Sequence, residues 1–155
     1  MATTWQEAEI GQAAVVPPEE ASEIPLELVV LHTTTDSTLQ ALETAARLAR
    51  DLTARVRLLV PVVVPYPLPL NLPSVRREFT EQRSRSLAAR VGVETRIDIR
   101  LCRDPWLMLE STLPSRSLVV LGGGRFWWPS AENRMAGHLR RLGHQVVLAP
   151  RQGKG

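Results

Sequence analysis

The sequence contains a single cysteine, Cys102, which excludes an internal disulfide and a cysteine-based zinc site. That thiol follows a strand-like stretch, and the histidines (His32, His138 and His144) are scattered, so a structural thiol is expected rather than a nucleophile. Two imidazoles without a third ligand make a poor metal site, and no metal is expected. Long apolar runs are missing as well. The richest stretch, Leu58–Pro73, is broken by Pro61, Pro65, Pro67, Pro69 and Pro73, and no run approaches the roughly 20 apolar residues of a membrane helix. Met1–Thr4 carries no basic charge and no apolar core follows, so no secretory signal is read and a cytoplasmic protein is expected. There is no Gly-x-Ser-x-Gly, no His-Glu-x-x-His and no Walker sequence, so no catalytic residue is nominated and a non-enzymatic chain is expected.

Lysine is nearly absent: of 19 basic residues, Lys154 alone is not arginine. The basic charge is also unevenly placed. Residues 1–24 hold Glu7, Glu9, Glu19, Glu20 and Glu23 and no base, whereas the remainder carries all 19 basic residues and 11 acidic ones, a net of +8. A basic body with an acidic arm permits phosphate or nucleic-acid contact. The arginines mostly fall beside acids on polar faces, however, which predicts a solvated surface and no nucleic-acid partner.

What is present describes one domain. A chain of 155 residues with 44% hydrophobic and 23% charged residues can bury a sizeable core. Residues 1–24 show no sustained period and are read as a mobile arm, 25–150 as the domain and 151–155 as a tail. Leu26–His32 reads as a strand apolar enough to be buried on both faces. Asp36–Leu52 follows as a helix with Leu39, Leu42, Ala45, Ala46, Ala49 and Leu52 on one face, and Ser37 with Gln40 resembles a capping box. Arg55–Val64 is a strand in which Pro61 predicts an end of pairing or a bulge. A helix of weak apolar character runs from Val75, capped by Ser74, to Val91. Val93–Leu101 alternates polar and apolar residues, as at a sheet edge. Asp104-Pro105 starts a short helix over Trp106–Leu113, with Trp106 expected in the core. Ser117–Leu121 is the fourth strand and runs into three glycines. Ser130 caps a last helix with Met135, Leu139 and Leu142 on one face, and His144–Ala149 is the fifth strand. Five strands alternating with four helices predict an α/β fold with a doubly wound, parallel, Rossmann-like sheet.

The segments LELVVLHTTTDSTLQALETAARLA, VRLLVPVVVPYPLP, CRDPWLML, SLVVLGGG and HQVVLAP, in that order, resemble the universal stress protein family over residues 25–150. The resemblance implies an adenine nucleotide alpha hydrolase-like sheet of order 3-2-1-4-5, a UspA-like role in stress response, and a homodimer paired through the last strand. It leaves ATP open, because only some members bind it. Binders carry Gly-x2-Gly-x9-Gly-Ser/Thr after the fourth strand, where glycines let backbone amides approach phosphates. Starting at Gly122, this pattern meets Arg125 and Met135 where glycines belong; starting at Gly124, it keeps Gly137 but meets Trp127 and His138. Aligned from the last strand, it meets Glu132-Asn133 in place of Gly-Ser. The Asp that ends the first strand in binders is replaced by Thr33. The degenerate nucleotide positions are thus Thr33, Gly122, Gly124 and Arg125, and no ATP cofactor is expected.

Phe126-Trp127-Trp128 cannot all face a core, so at least one is expected to cap the vacated pocket or meet a partner. His32 and His138 are both expected near the carboxyl ends of the strands, where such sheets bind ligands. Val146, Val147 and Leu148 on the edge strand are the expected dimer interface. The reading that results is a universal-stress-protein-like regulatory domain acting as a homodimer and through a further protein partner. Its alternative is a nucleotide or small-anion sensor with an altered pocket, contacting the anion through Arg125.

Overall fold

The order β3 (Thr95–Cys102), β2 (Ala54–Val63), β1 (Leu26–Leu31), β4 (Leu118–Leu121), β5 (Gln145–Leu148), parallel throughout, gives each strand the environment its sequence asks for. In the computed structural model residues 26–71, 76–123 and 131–150 are described. Helices α1 (Thr35–Leu52), α2 (Arg77–Val91), α3 (Pro105–Thr112) and α4 (Ala131–Arg141) alternate with the strands. The apolar β1 is central, between β2 and β4, while the polar-alternating β3 lies at an edge as expected.

Because successive side chains point to opposite faces, the sheet makes two cores. Leu28 and Val30 of β1 and Val56, Leu58 and Val60 of β2 pack with Ala41, Leu42, Ala45 and Ala49 of α1 on one face. Val29, Leu31, Leu59, Val119 and Leu121 pack with Leu109 of α3 and Leu139 of α4 on the other. The weak apolar face of α2 buries only Ser84, Leu87 and Ala88, which is the shallow packing its sequence predicts. On the second face Arg57 is buried and held by charge alone, 3.6 Å from both Glu27 and Asp98, with its Nε and Nη2 making no hydrogen bond.

Several local expectations change in the fold. Pro61 does not bulge the strand, and pairing ends near it on one side only. Pairing of β2 with β1 stops at Leu59, whereas pairing with β3 continues through Pro61 to Val63 opposite Cys102. His32 N–H donates to Leu59 O toward β1, and Val64 N–H donates to Cys102 O toward β3. Alternation then directs the missing N–H of Pro61 to the side where β1 has already ended. The α1 cap is also different: Thr34 is the cap, its Oγ1 accepting from Ser37 N–H at 3.1 Å, and Gln40 takes no part in it. Leu142 lies beyond α4 and is 42% exposed, so Ala136 joins Leu139 as the buried pair of that helix. Trp106 is only partly buried, and α3 begins at Pro105 with Asp104 Oδ1 accepting from Trp106 N–H at 2.9 Å. Cys102 is buried, and burial followed by the charge of Asp104 raises its pKa, which keeps the thiol protonated. Ser74, Val75 and Ser130 fall outside the described residues.

Candidate functional site

In a parallel sheet of this order the chain turns opposite ways after β1 and after β4, which opens a crevice above their carboxyl ends. His32, Thr33 and Thr34 leave β1 into α1 on one side of it, and Gly122 and Gly123 leave β4 on the other. A Cβ placed on Gly122 would lie 1.9 Å from Ser37 O, so the first turn of α1 already occupies the space a side chain would need. Gly123 has φ +73, and a Cβ there would meet Ser37 Oγ at 2.7 Å and Glu132 Cδ at 3.8 Å. Its N–H donates to Gln40 Oε1 at 3.2 Å. On the other wall Thr33 N–H donates to Thr38 Oγ1 at 3.0 Å, while Thr33 Oγ1 is buried without a hydrogen-bond partner.

Gly122 is therefore used for close approach between β4 and α1, and the Gly123 amide is engaged by Gln40. An oxyanion here would have to displace the Gln40 amide from Gly123 and approach the Glu132 carboxylate, which repels it. Gly124 and Arg125, the other two nucleotide positions read from the sequence, lie outside the described residues, as do Phe126, Trp127 and Trp128.

The two histidines expected together are separated by the fold. His32 follows β1 and borders a cavity against α2, on the α1/α2 face. Burial first, and then the charge of Arg83, lower its pKa, so the imidazole is neutral at neutral pH. His138 sits instead on α4, edge-on to Trp106 of α3 with ring centroids 4.8 Å apart. Its Nε2 lies 3.3 Å from Glu110 Oε2 but makes no hydrogen bond with it. His144 is buried and structural, with Nδ1 accepting from Ser117 N–H at 3.0 Å. No three His, Cys, Asp or Glu among the described residues are grouped to hold a metal ion, and no helix among them is long and apolar enough to cross a membrane.

The residues that the sequence reading missed are Arg83 and Phe79, four apart on α2. Their spacing puts both on one helix face, but nothing local signals that this face opens toward β1. A larger cavity, about 540 Å³, lies at the opposite, amino-terminal end of the sheet between Ala54 and Thr95. It is remote from the crossover crevice.

This topology defines a doubly wound, parallel α/β domain with a crevice at the crossover between β1 and β4. The chain has the universal-stress-protein fold. It matches a universal stress protein in complex with cAMP at TM-score 0.54 and 14% identity, over 80% of this chain and 95% of that one. It matches the universal stress protein of Archaeoglobus fulgidus at 0.55 and 15% (84% and 97% covered). UspA of Lactobacillus plantarum matches at 0.52 and 14% (80% and 97% covered). No protein-family model matches the sequence, and no curated protein matches it significantly.

Proposed function

We propose that this chain is a non-enzymatic, cytoplasmic regulatory domain of the universal-stress-protein type that acts as a homodimer and has given up ATP binding. The observation that carries the reading is the hydrogen bond from Gly123 N–H to the Gln40 side chain beside the close approach of Gly122 to Ser37. A phosphate cradle works by presenting free backbone amides to an anion. Here the Gly123 amide is taken by a neutral side chain, and Glu132 stands next to it.

A domain without that cradle acts through its surfaces, and the edge strand β5 supports a homodimer: Gln145 is exposed and Val146, Val147 and Leu148 are only partly buried. The acidic arm, residues 1–24, lies outside the described residues, and its charge would suit contact with a basic neighbour in such a dimer.

Thermal melting with ATP and magnesium tests the nucleotide part. A ligand of the native state raises stability by RT ln(1 + [L]/Kd), about 2.7 kcal/mol at a hundredfold excess over Kd. Little or no rise in Tm at millimolar ATP is expected. A clear rise with ATP that sulfate and phosphate do not reproduce sinks the reading.

A further inference from the structure

Between β2 and α2, on the α1/α2 face, lies an open cavity of about 250 Å³. Val60 and Val62 form an apolar wall, Phe79 and Arg83 stand on its α2 side, and His32 closes the end nearest β1. Arg83 is held over the aromatic ring, its Cζ 5.8 Å from the Phe79 centroid, and its Nη2 donates to Thr35 Oγ1 at 3.4 Å. Among the described residues no carboxylate lies within ion-pair distance of this guanidinium, although the neighbouring Arg85 and Arg76 each have a glutamate. His32 and Arg83 are the only ionisable side chains among the described residues that line the cavity, and the arginine supplies its charge. Phe79 is 53% exposed, which leaves it accessible to a guest in the cavity.

We propose that this cavity binds a small organic monoanion with a flat apolar body, an aromatic carboxylate, with the carboxylate on Arg83 and Thr35 and the ring between Phe79 and the Val60–Val62 wall. One guanidinium fork matches one carboxylate in charge and geometry. A triphosphate would need several more donors than this site offers. The volume lies below the roughly 300–1,000 Å³ of sites for drug-sized ligands, which limits the guest to a single ring system. This inference goes beyond the proposed function and does not use the glycine turn.

His32 is a built-in reporter of occupancy. Its pKa is lowered by burial and by Arg83. An anion that neutralises Arg83 favours the protonated imidazole, so its charge acts to raise the midpoint. The experiment is an NMR titration of the three histidines of the full chain, without ligand and with benzoate, inorganic phosphate or ATP. Benzoate is expected to raise the His32 midpoint saturably and to leave those of His138 and His144 in place. Arg83→Gln should raise the His32 midpoint without ligand and weaken benzoate at least about tenfold, the loss of a charged hydrogen bond. Arg83→Lys should keep the midpoint low, since the charge remains, and still weaken benzoate, since the fork is gone.

The proposal is overturned if benzoate leaves His32 unmoved, if all three histidines shift together, or if Arg83→Gln binds benzoate as the parent does. Phosphate acting as well as benzoate overturns the aromatic class. A response to ATP but not benzoate overturns this site and contradicts the proposed function together, whereas a failure of benzoate alone leaves the ATP melting result untouched.

Discussion

At the scale of the residue, two glycines that look alike in sequence have opposite reasons to be there. Gly92 ends α2 in the left-handed region, φ +78, with open space where a side chain would go. Gly92→Ala should therefore cost only the left-handed penalty, about 1–2 kcal/mol. Gly122→Ala meets the Ser37 carbonyl oxygen, a backbone atom that cannot move without shifting α1. A cost of about 3 kcal/mol is expected there, at the upper end for overpacking. Urea unfolding with an unchanged m-value separates the two. If the Gly122 variant proves no less stable than the Gly92 one, β4 and α1 are not locked together and the crevice is not closed. The triple glycine was legible as a turn, but its partner was not. Gln40 lies 83 residues away from Gly123, and sequence neighbours placed it in a local cap instead.

At the scale of the element, β5 is the strand whose surroundings the described chain leaves incomplete. Gln145 N–H donates to Ser117 O and Ala149 N–H donates to Leu121 O, so the odd positions face β4 and the even ones face outward. The outer carbonyl of Val146 is already covered by Arg140 Nη2 at 3.1 Å, which blunts one point of the edge in the way edge strands often are. In the proposed homodimer Arg140 must release it. Val147→Lys should give a monomer mass by light scattering at micromolar concentration, and Arg140→Gln, by freeing the carbonyl, should favour the dimer. Circular dichroism must show both variants folded, because Val147 also packs toward the α1/α2 core. A folded Val147→Lys variant that stays dimeric rules out pairing through this strand.

At the scale of the whole molecule, protection should follow the sheet from its centre outward. Val29–Leu31 and Leu58–Val60 are buried and fully within the sheet, whereas α2 is anchored by two apolar side chains and β5 is bonded on one side. Local opening is easiest where few apolar contacts hold an element. Hydrogen exchange read by mass spectrometry should therefore be slowest in β1 and the first half of β2, and fastest in α2 and β5. Protection of β5 that rises with protein concentration supports the dimer, while a β5 outlasting β1 in dilute solution contradicts this order of stability.

The fold was written into local pattern: an apolar β1 with no polar face, a β3 that alternates, and helices whose apolar residues recur at helical spacing. Such periodicities follow from each residue's neighbours along the chain and the geometry of strand and helix, so they can be read without the structure. The departure from a glycine-rich phosphate pattern could be read the same way, from Arg125, Trp127 and Glu132 standing where the resemblance implies glycines. What closes the crevice and what opens beside it were decided only by tertiary contact. Gln40 reaches Gly123 from α1, Arg83 reaches Thr35 across 48 residues, and His138 is carried away from His32 to the opposite face of the sheet. Each of these depends on how one helix is set down on the sheet, a choice made by packing of both cores together and by no segment alone.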